Sequence, residues 1–126
     1  MRDDQPPTIT AAHRRHLPLK SDVLMILLAL RDGETHGYAI IRDAEARSEG
    51  TVRLQTGALY RTLRRLLDDG LVDESARRPA PEDDDERRRY YHLTRTGAGV
   101  LAAELERLGR LVAATTPATG RRPRLA

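Results

Sequence analysis

The side chains best placed to do chemistry in this chain are guanidinium groups, and their most ordered set stands between Gln55 and Val72, QTGALYRTLRRLLDDGLV. Arg61, Arg64 and Arg65 recur at three- and four-residue steps, and on a helix they share a polar side with Thr56, Gly57 and Tyr60. A planar guanidinium donates two parallel hydrogen bonds, which suits a phosphate or the O6/N7 edge of guanine. The chemistry on offer is recognition rather than reaction. A solvated face of salt-bridging arginines is the plainer alternative for this stretch alone. Elsewhere no nucleophile–base pair or glycine-rich phosphate loop occurs, and the histidines at 13, 16, 36 and 92 are scattered. His13 and His16 have a spacing seen in metal sites, but no further ligand stands near them. No catalytic residue, metal or cofactor is expected.

Those arginines need a helix pinned on its other side. Leu59, Leu63, Leu66 and Leu67 recur at i, i+4, i+7 and i+8 and predict one apolar stripe. Thr56 is expected to cap the helix through its hydroxyl, and Gly70 to stop it in a left-handed conformation.

The whole chain bounds what this helix can serve. Its 126 residues suffice for one domain with a single modest core. Of its residues 33% are charged, 22 basic against 19 acidic, and Lys20 is its one lysine. A net charge of +3 is weak evidence on its own for a nucleic-acid partner. The lack of cysteine removes disulfides and thiolate metal sites. No apolar run reaches membrane-span length and the N-terminus lacks a signal-peptide core, so a soluble cytoplasmic protein without a membrane partner is expected. Four tyrosines are the only aromatics, which argues against folds that stack bases.

In chain order, residues 1–16 read as a flexible arm, with a short helical turn around Ala11 to His16. Pro18 suits the first turn of a helix reaching about Arg31. Leu19, Val23, Ile26, Leu27 and Leu30 form its main face; Leu24, Met25 and Leu28 widen that face beyond what a surface helix needs. A second helix follows His36-Gly37-Tyr38 and runs to about Ser48, with Tyr38 and Ile41 inward. Residues 51–54 could add an edge strand. After Gly70 the period becomes alternating, which predicts a strand over 71–76 and a partner over 88–93 with Tyr91 and Leu93 on one face. The intervening Glu82-Asp83-Asp84-Asp85-Glu86 run reads as a solvated loop. Strand, loop and strand after a helix-turn-helix make a wing. Thr94 then caps a last helix whose Leu101, Leu105, Leu108 and Val112 form a narrow seam beside Val100 and Leu111, with Glu104, Glu106, Arg107 and Arg110 solvated. A homodimer contact is the favoured use of that seam. Residues 116–126 read as a disordered basic tail.

HGY at 36–38, TGALYRTLRRLLDDGLV at 56–72 and RRYYHLTRTG at 88–97 together resemble the PadR family of bacterial transcriptional regulators, over roughly Leu17 to Val112. The resemblance implies a mainly α fold with a small β wing. A winged helix-turn-helix over 17–93 would be followed by a dimerisation helix over 94–115. It also implies a homodimer joined through the first and last helices, and binding of double-stranded DNA by the third helix and wing. On that reading Thr56, Gly57, Tyr60, Arg61, Arg64 and Arg65 face DNA, joined by Arg77, Arg88 and Arg89 from the wing stem. Leu24, Leu28, Leu101, Leu105, Leu108 and Val112 serve dimerisation, and Tyr38, Leu59, Leu63, Leu66, Tyr91 and Leu93 match core positions. The chain departs from the pattern in two ways. Its wing tip holds five consecutive acids, which phosphates repel, so the tip is expected to bend away from DNA or pair with Arg77, Arg78 and Arg87 to Arg89. It also lacks the phenylalanine and tryptophan rings that could sandwich the flat aromatic compounds some members bind, which leaves a small-molecule inducer open. The expected function is a repressor acting as a homodimer on a two-fold operator. A winged-helix protein–protein module without base readout is the alternative.

Overall fold

The computed structural model describes residues 6–76 and 89–115. In order they form α1 (Ala11–Arg14), α2 (Ser21–Arg31), β1 (Thr35–His36), α3 (Gly37–Arg47), α4 (Thr56–Asp68), β2 (Val72–Glu74), β3 (Tyr90–Leu93) and α5 (Arg95–Thr115). The strands make one antiparallel sheet in the order β1-β3-β2. Val72 pairs with Leu93 and Glu74 with Tyr91, while Thr35 crosses β3 at Tyr91. Helices α2, α3 and α4 with this sheet constitute a winged helix-turn-helix.

One apolar cluster holds these elements together. Ile26, Leu27 and Leu30 of α2 meet Ile40 of α3, the α4 leucines, Leu71, Val72, Tyr91, and Val100 and Leu101 of α5. Leu59, Leu63 and Leu66 are buried and Leu67 packs at the margin, as the four-three spacing requires. Fully burying each such leucine contributes about 1.5–3 kcal/mol.

Several local expectations are corrected. Helix α2 begins at Ser21 rather than Pro18, with Lys20 as N-cap; the preceding Leu19 amide donates to the Glu104 carboxylate at 2.9 Å instead of joining a helical turn. Residues 51–54 form no strand, because the Ser48 hydroxyl engages both the Val52 amide (2.9 Å) and the Val52 carbonyl (3.3 Å). The third strand comes instead from Thr35–His36. Tyr38 is not a core residue: it is 51% exposed, and the inward face of α3 is Gly37, Ile40 and Ala44. The short helical turn expected within the arm forms as α1, which packs on α5 with the His13 ring where any side chain on Gly99 would collide with it. The rest of that arm, 1–5, the wing tip with its acidic run, and the basic tail lie outside the described residues.

Helix α5 also differs from its expected face. Thr94 does cap it, accepting from the Gly97 amide at 2.9 Å while donating to the Gly70 carbonyl. Gly97, Val100, Leu101 and Glu104 then line a buried face at i, i+3, i+4 and i+7. Leu101 is therefore taken by its own domain rather than by a partner. Glu104, expected in solvent, is 1% exposed. It accepts from the Leu19 amide and from Arg107 Nε and Nη2, at 2.6 and 3.0 Å for the arginine. The Arg107 hydrogen bond, helped by the Leu19 amide, holds its carboxyl below the usual carboxylate range against the opposing effect of burial.

Candidate nucleic-acid interface

The arginine face stands on α4, and its neighbours explain its presentation. Gln55, not Thr56, is the N-cap, and no side-chain hydrogen bond closes the first turn. Thr56 is the first helical residue, so its hydroxyl does not take the capping position. Thr56 and Gly57 are both exposed at the start of the helix. The far end closes as expected: Gly70 has φ 76° and the Leu71 amide donates to the Leu66 carbonyl at 3.0 Å, the pattern of a Schellman stop.

Arg61, Arg64 and Arg65 are all exposed. The Arg61 guanidinium folds back along the helix toward its N-terminus, 3.6 Å from where a Cβ on Gly57 would lie. Gly57 thus leaves room both for that side chain and for close approach of a ligand to the backbone. Among the described residues neither Arg61 nor Arg65 is engaged in an ion pair. Both are exposed to solvent: the Arg61 guanidinium reaches back toward the positive N-terminal end of the helix dipole, while Arg65 stands in the last turn.

Tyr60 plays a different part from the one expected. Its hydroxyl is buried, and a Cβ on Gly37 would collide with it. The ring lies between α4 and the first turn of α3, so this hydroxyl does not face a phosphate. Gly37 leaves room for that approach, since a Cβ there would require the Tyr60 ring to move. His36 fixes the start of α3 by accepting from the Ala39 amide through Nδ1 at 3.2 Å, and its ring stands edge-on to Tyr90 of β3 at 5.4 Å. The HGY stretch therefore joins the helix-turn-helix to the sheet. Its pairing with β3 was not visible in sequence, because a two-residue strand has no periodicity to detect.

The wing stem supplies Arg89, whose guanidinium is 3.9 Å from Glu74 on the neighbouring strand and half-buried. That pairing competes with a phosphate for the same cation. Ser75, buried beside it, shares a hydrogen bond of 3.0 Å with His92 Nδ1 and stiffens the stem. Arg77 and Arg88 lie outside the described residues. The described structure thus brings Thr56, Gly57, Arg61, Arg64 and Arg65 together on one face, with Arg89 on the adjoining sheet and Tyr60 beneath.

The expected dimer residues fall into two groups. Leu24, Leu28 and Leu105 are half-buried against the core, and Leu108 is half-buried beyond it. Val112, with Leu111 beside it, is exposed on the part of α5 that extends past the domain, at 63% and 54%. His13 is occupied as an acceptor from the Thr10 amide at 3.0 Å, and no metal-ligating cluster occurs among the described residues. No described helix is long and apolar enough to cross a membrane.

Comparison with known proteins places this geometry. No curated protein matches the chain. Among solved structures, a PadR family transcription regulator from Clostridium difficile R20291 superposes with a TM-score of 0.62 at 21% identity, over 75% of this chain and 94% of that one. A PadR-like transcriptional regulator from Bacillus cereus gives 0.59 at 21% identity, over 73% and 84%. RosR of H. salinarum gives 0.57 at 24% identity, over 85% and 84%. At such identities the likeness establishes the fold. The model of the transcriptional regulator PadR-like family matches residues 26–103, from the core of α2 through the first half of α5. With the helix-turn-helix, the wing strands and the start of α5 all inside that match, the chain belongs to the PadR-like family of transcriptional regulators, which are not enzymes.

Proposed function

We propose that this regulator is a cytoplasmic repressor that binds double-stranded operator DNA as a homodimer, occluding a two-fold site. The observation that carries the reading is the exposed row of Arg61, Arg64 and Arg65 on a helix whose opposite face is locked into the core. Such a helix can enter a major groove without disturbing its own packing. Thr56 and Gly57 offer backbone amides to phosphate at its N-terminus. Arg61 and Arg64 address base edges, and Arg65 addresses the flanking backbone. Arg77, Arg88 and Arg89 would add phosphate contacts from the wing stem.

Dimerisation is supported by the exposed apolar end of α5 around Leu111 and Val112, on the same helix as half-buried Leu105 and Leu108, with Leu24 and Leu28 half-buried on α2. A two-fold pairing of that surface would bury a ridge too apolar for a free helix end. An inducer, if one acts, would bind without the aromatic sandwich this sequence lacks.

The test is recovery of DNA fragments from the source genome by the purified protein, followed by affinity across a salt series. The logarithm of affinity should fall steeply with the logarithm of salt, by about 0.9 for each phosphate neutralised. Absence of binding to any fragment at low salt would favour the protein–protein module instead.

A further inference from the structure

Thr56 opens α4 with a hydroxyl that the fold leaves unused. It is exposed at the first helical position, and among the described residues this hydroxyl has no hydrogen-bond partner. By contrast, backbone groups engage the hydroxyls of Ser48, Thr51 and Thr94. The approach to Thr56 is equally open. Residues 52–55 form neither helix nor strand, and no amide from Arg53 to Thr56 is hydrogen-bonded within the described residues. Gln55 supplies no side-chain cap to hold the first turn. An extended segment with unpaired amides suits a partner that grips its substrate along the backbone. Arg53 stands three residues before Thr56, and no other serine or threonine in the chain has an arginine at that spacing. Its side chain is 76% exposed and meets Glu45 at 3.3 Å, an exposed ion pair that holds it only weakly in water.

We propose that Thr56 is a phosphorylation site for a protein kinase that reads an arginine three residues before its acceptor, and that the phosphate switches DNA binding off. A carboxylate in such a kinase replaces Glu45 as the partner of Arg53. The Thr56 Oγ1 attacks the γ-phosphorus of ATP and a P–O bond forms. The bond from that phosphorus to the bridging oxygen breaks, ADP leaves, and the hydroxyl proton passes to the carboxylate base of the kinase. The added group carries a charge of about −1.5 to −2 at neutral pH. It stands at the end of α4 that the proposed function brings against a DNA phosphate, so like charges meet there. The effect on DNA rests on that reading, whereas the modification does not.

The test treats wild type, Thr56→Val and Arg53→Ala with Mg-ATP and a purified kinase domain of this specificity, shown to be active on an arginine-containing peptide. Mass spectrometry locates the phosphate, and affinity is measured on a duplex selected by unmodified wild type from random sequence. Circular dichroism establishes that all forms keep their helicity. Wild type should take one phosphate, on Thr56, and Thr56→Val none. Arg53→Ala should react about tenfold more slowly, the loss of one charge-assisted contact to the kinase. With such a loss in each subunit of a dimer, phosphorylated wild type should bind the duplex about a hundredfold more weakly. Wild type left unmodified at Thr56, or Arg53→Ala modified as fast as wild type, would overturn the site. Unchanged affinity after phosphorylation would overturn the switch and leave DNA binding itself standing. Unmodified wild type that bound no duplex would overturn the DNA-binding reading and the switch with it, while the phosphate on Thr56 would still establish the site.

Discussion

Replacing Glu104 by alanine tests how the end of the DNA-binding domain is fastened to its last helix. Three hydrogen bonds converge on this buried carboxylate, from the Leu19 amide and from two nitrogens of Arg107. The Arg107 side chain is 38% exposed and can return to water, so its share must be discounted for solvent screening. The Leu19 amide has no such escape. Loss of a hydrogen bond to a charged acceptor costs about 1.5–3 kcal/mol and leaves that amide partly desolvated, so Glu104→Ala should destabilise by about 2–4 kcal/mol. Glu104→Gln keeps an acceptor for Leu19 and should cost about half as much. The sign with pH follows from the depressed folded pKa. The carboxylate's contribution is fully present above its unfolded value of 4.5 and is lost as pH falls through the lower folded value. Urea melts of the three proteins at neutral pH and in acid read both effects. A Glu104→Ala protein within about 0.5 kcal/mol of wild type at neutral pH would refute the reasoning, because a surface substitution costs that little. So would a wild-type advantage over Glu104→Gln that does not shrink below pH 4.5.

Gly97→Ala drives a methyl group into the Leu71 carbonyl, a backbone atom that cannot swing away, and a drop of about 1–3 kcal/mol or more is expected in denaturant melts. Glu49 sits at φ 54° beside Gly50 in the loop after α3, so Glu49→Gly should raise stability by about 1 kcal/mol in the same assay. Leu111→Asp with Val112→Asp touches only exposed positions on α5; equilibrium sedimentation should show a folded monomer, and a persisting dimer at micromolar concentration would move the interface elsewhere.

The helices with a strict apolar period were legible in sequence because each has one neighbour to satisfy. Leu59, Leu63 and Leu66 had a single side on which to be buried, and the glycine stop at Gly70 follows from local backbone geometry. Positions serving two neighbours were not legible. Tyr60 reads as an outward residue on α4 alone, yet α3 passes over it at Gly37, a close approach that only the absence of a side chain permits. Tyr38 reads as core by its ring, yet α3 turns Gly37, Ile40 and Ala44 inward and leaves Tyr38 exposed. On α5 the heptad seam at 101, 105, 108 and 112 overlaps a second periodic face at 97, 100, 101 and 104, and only packing shows which of them its own domain occupies. A signal existed there: Gly97 clears space for the Leu71 backbone and Gly99, on the other side of the helix, for His13, and Glu104 with Arg107 three residues on offers an acid a partner for burial. The arginine row was legible as a row, because all three side chains lie off the leucine stripe.

The most direct measurement of the central claim is the base preference of Arg61→Ala on a duplex selected by the wild-type protein. Arg61 is exposed in the second turn of α4, off the leucine stripe, so its removal should leave helicity and assembly unchanged. Loss of a bidentate contact to a base edge should cost about 1–3 kcal/mol per subunit and relax discrimination at one base pair in each half-site. A folded Arg61→Ala protein with unchanged affinity and unchanged base preference would contradict the placement of this helix in the groove.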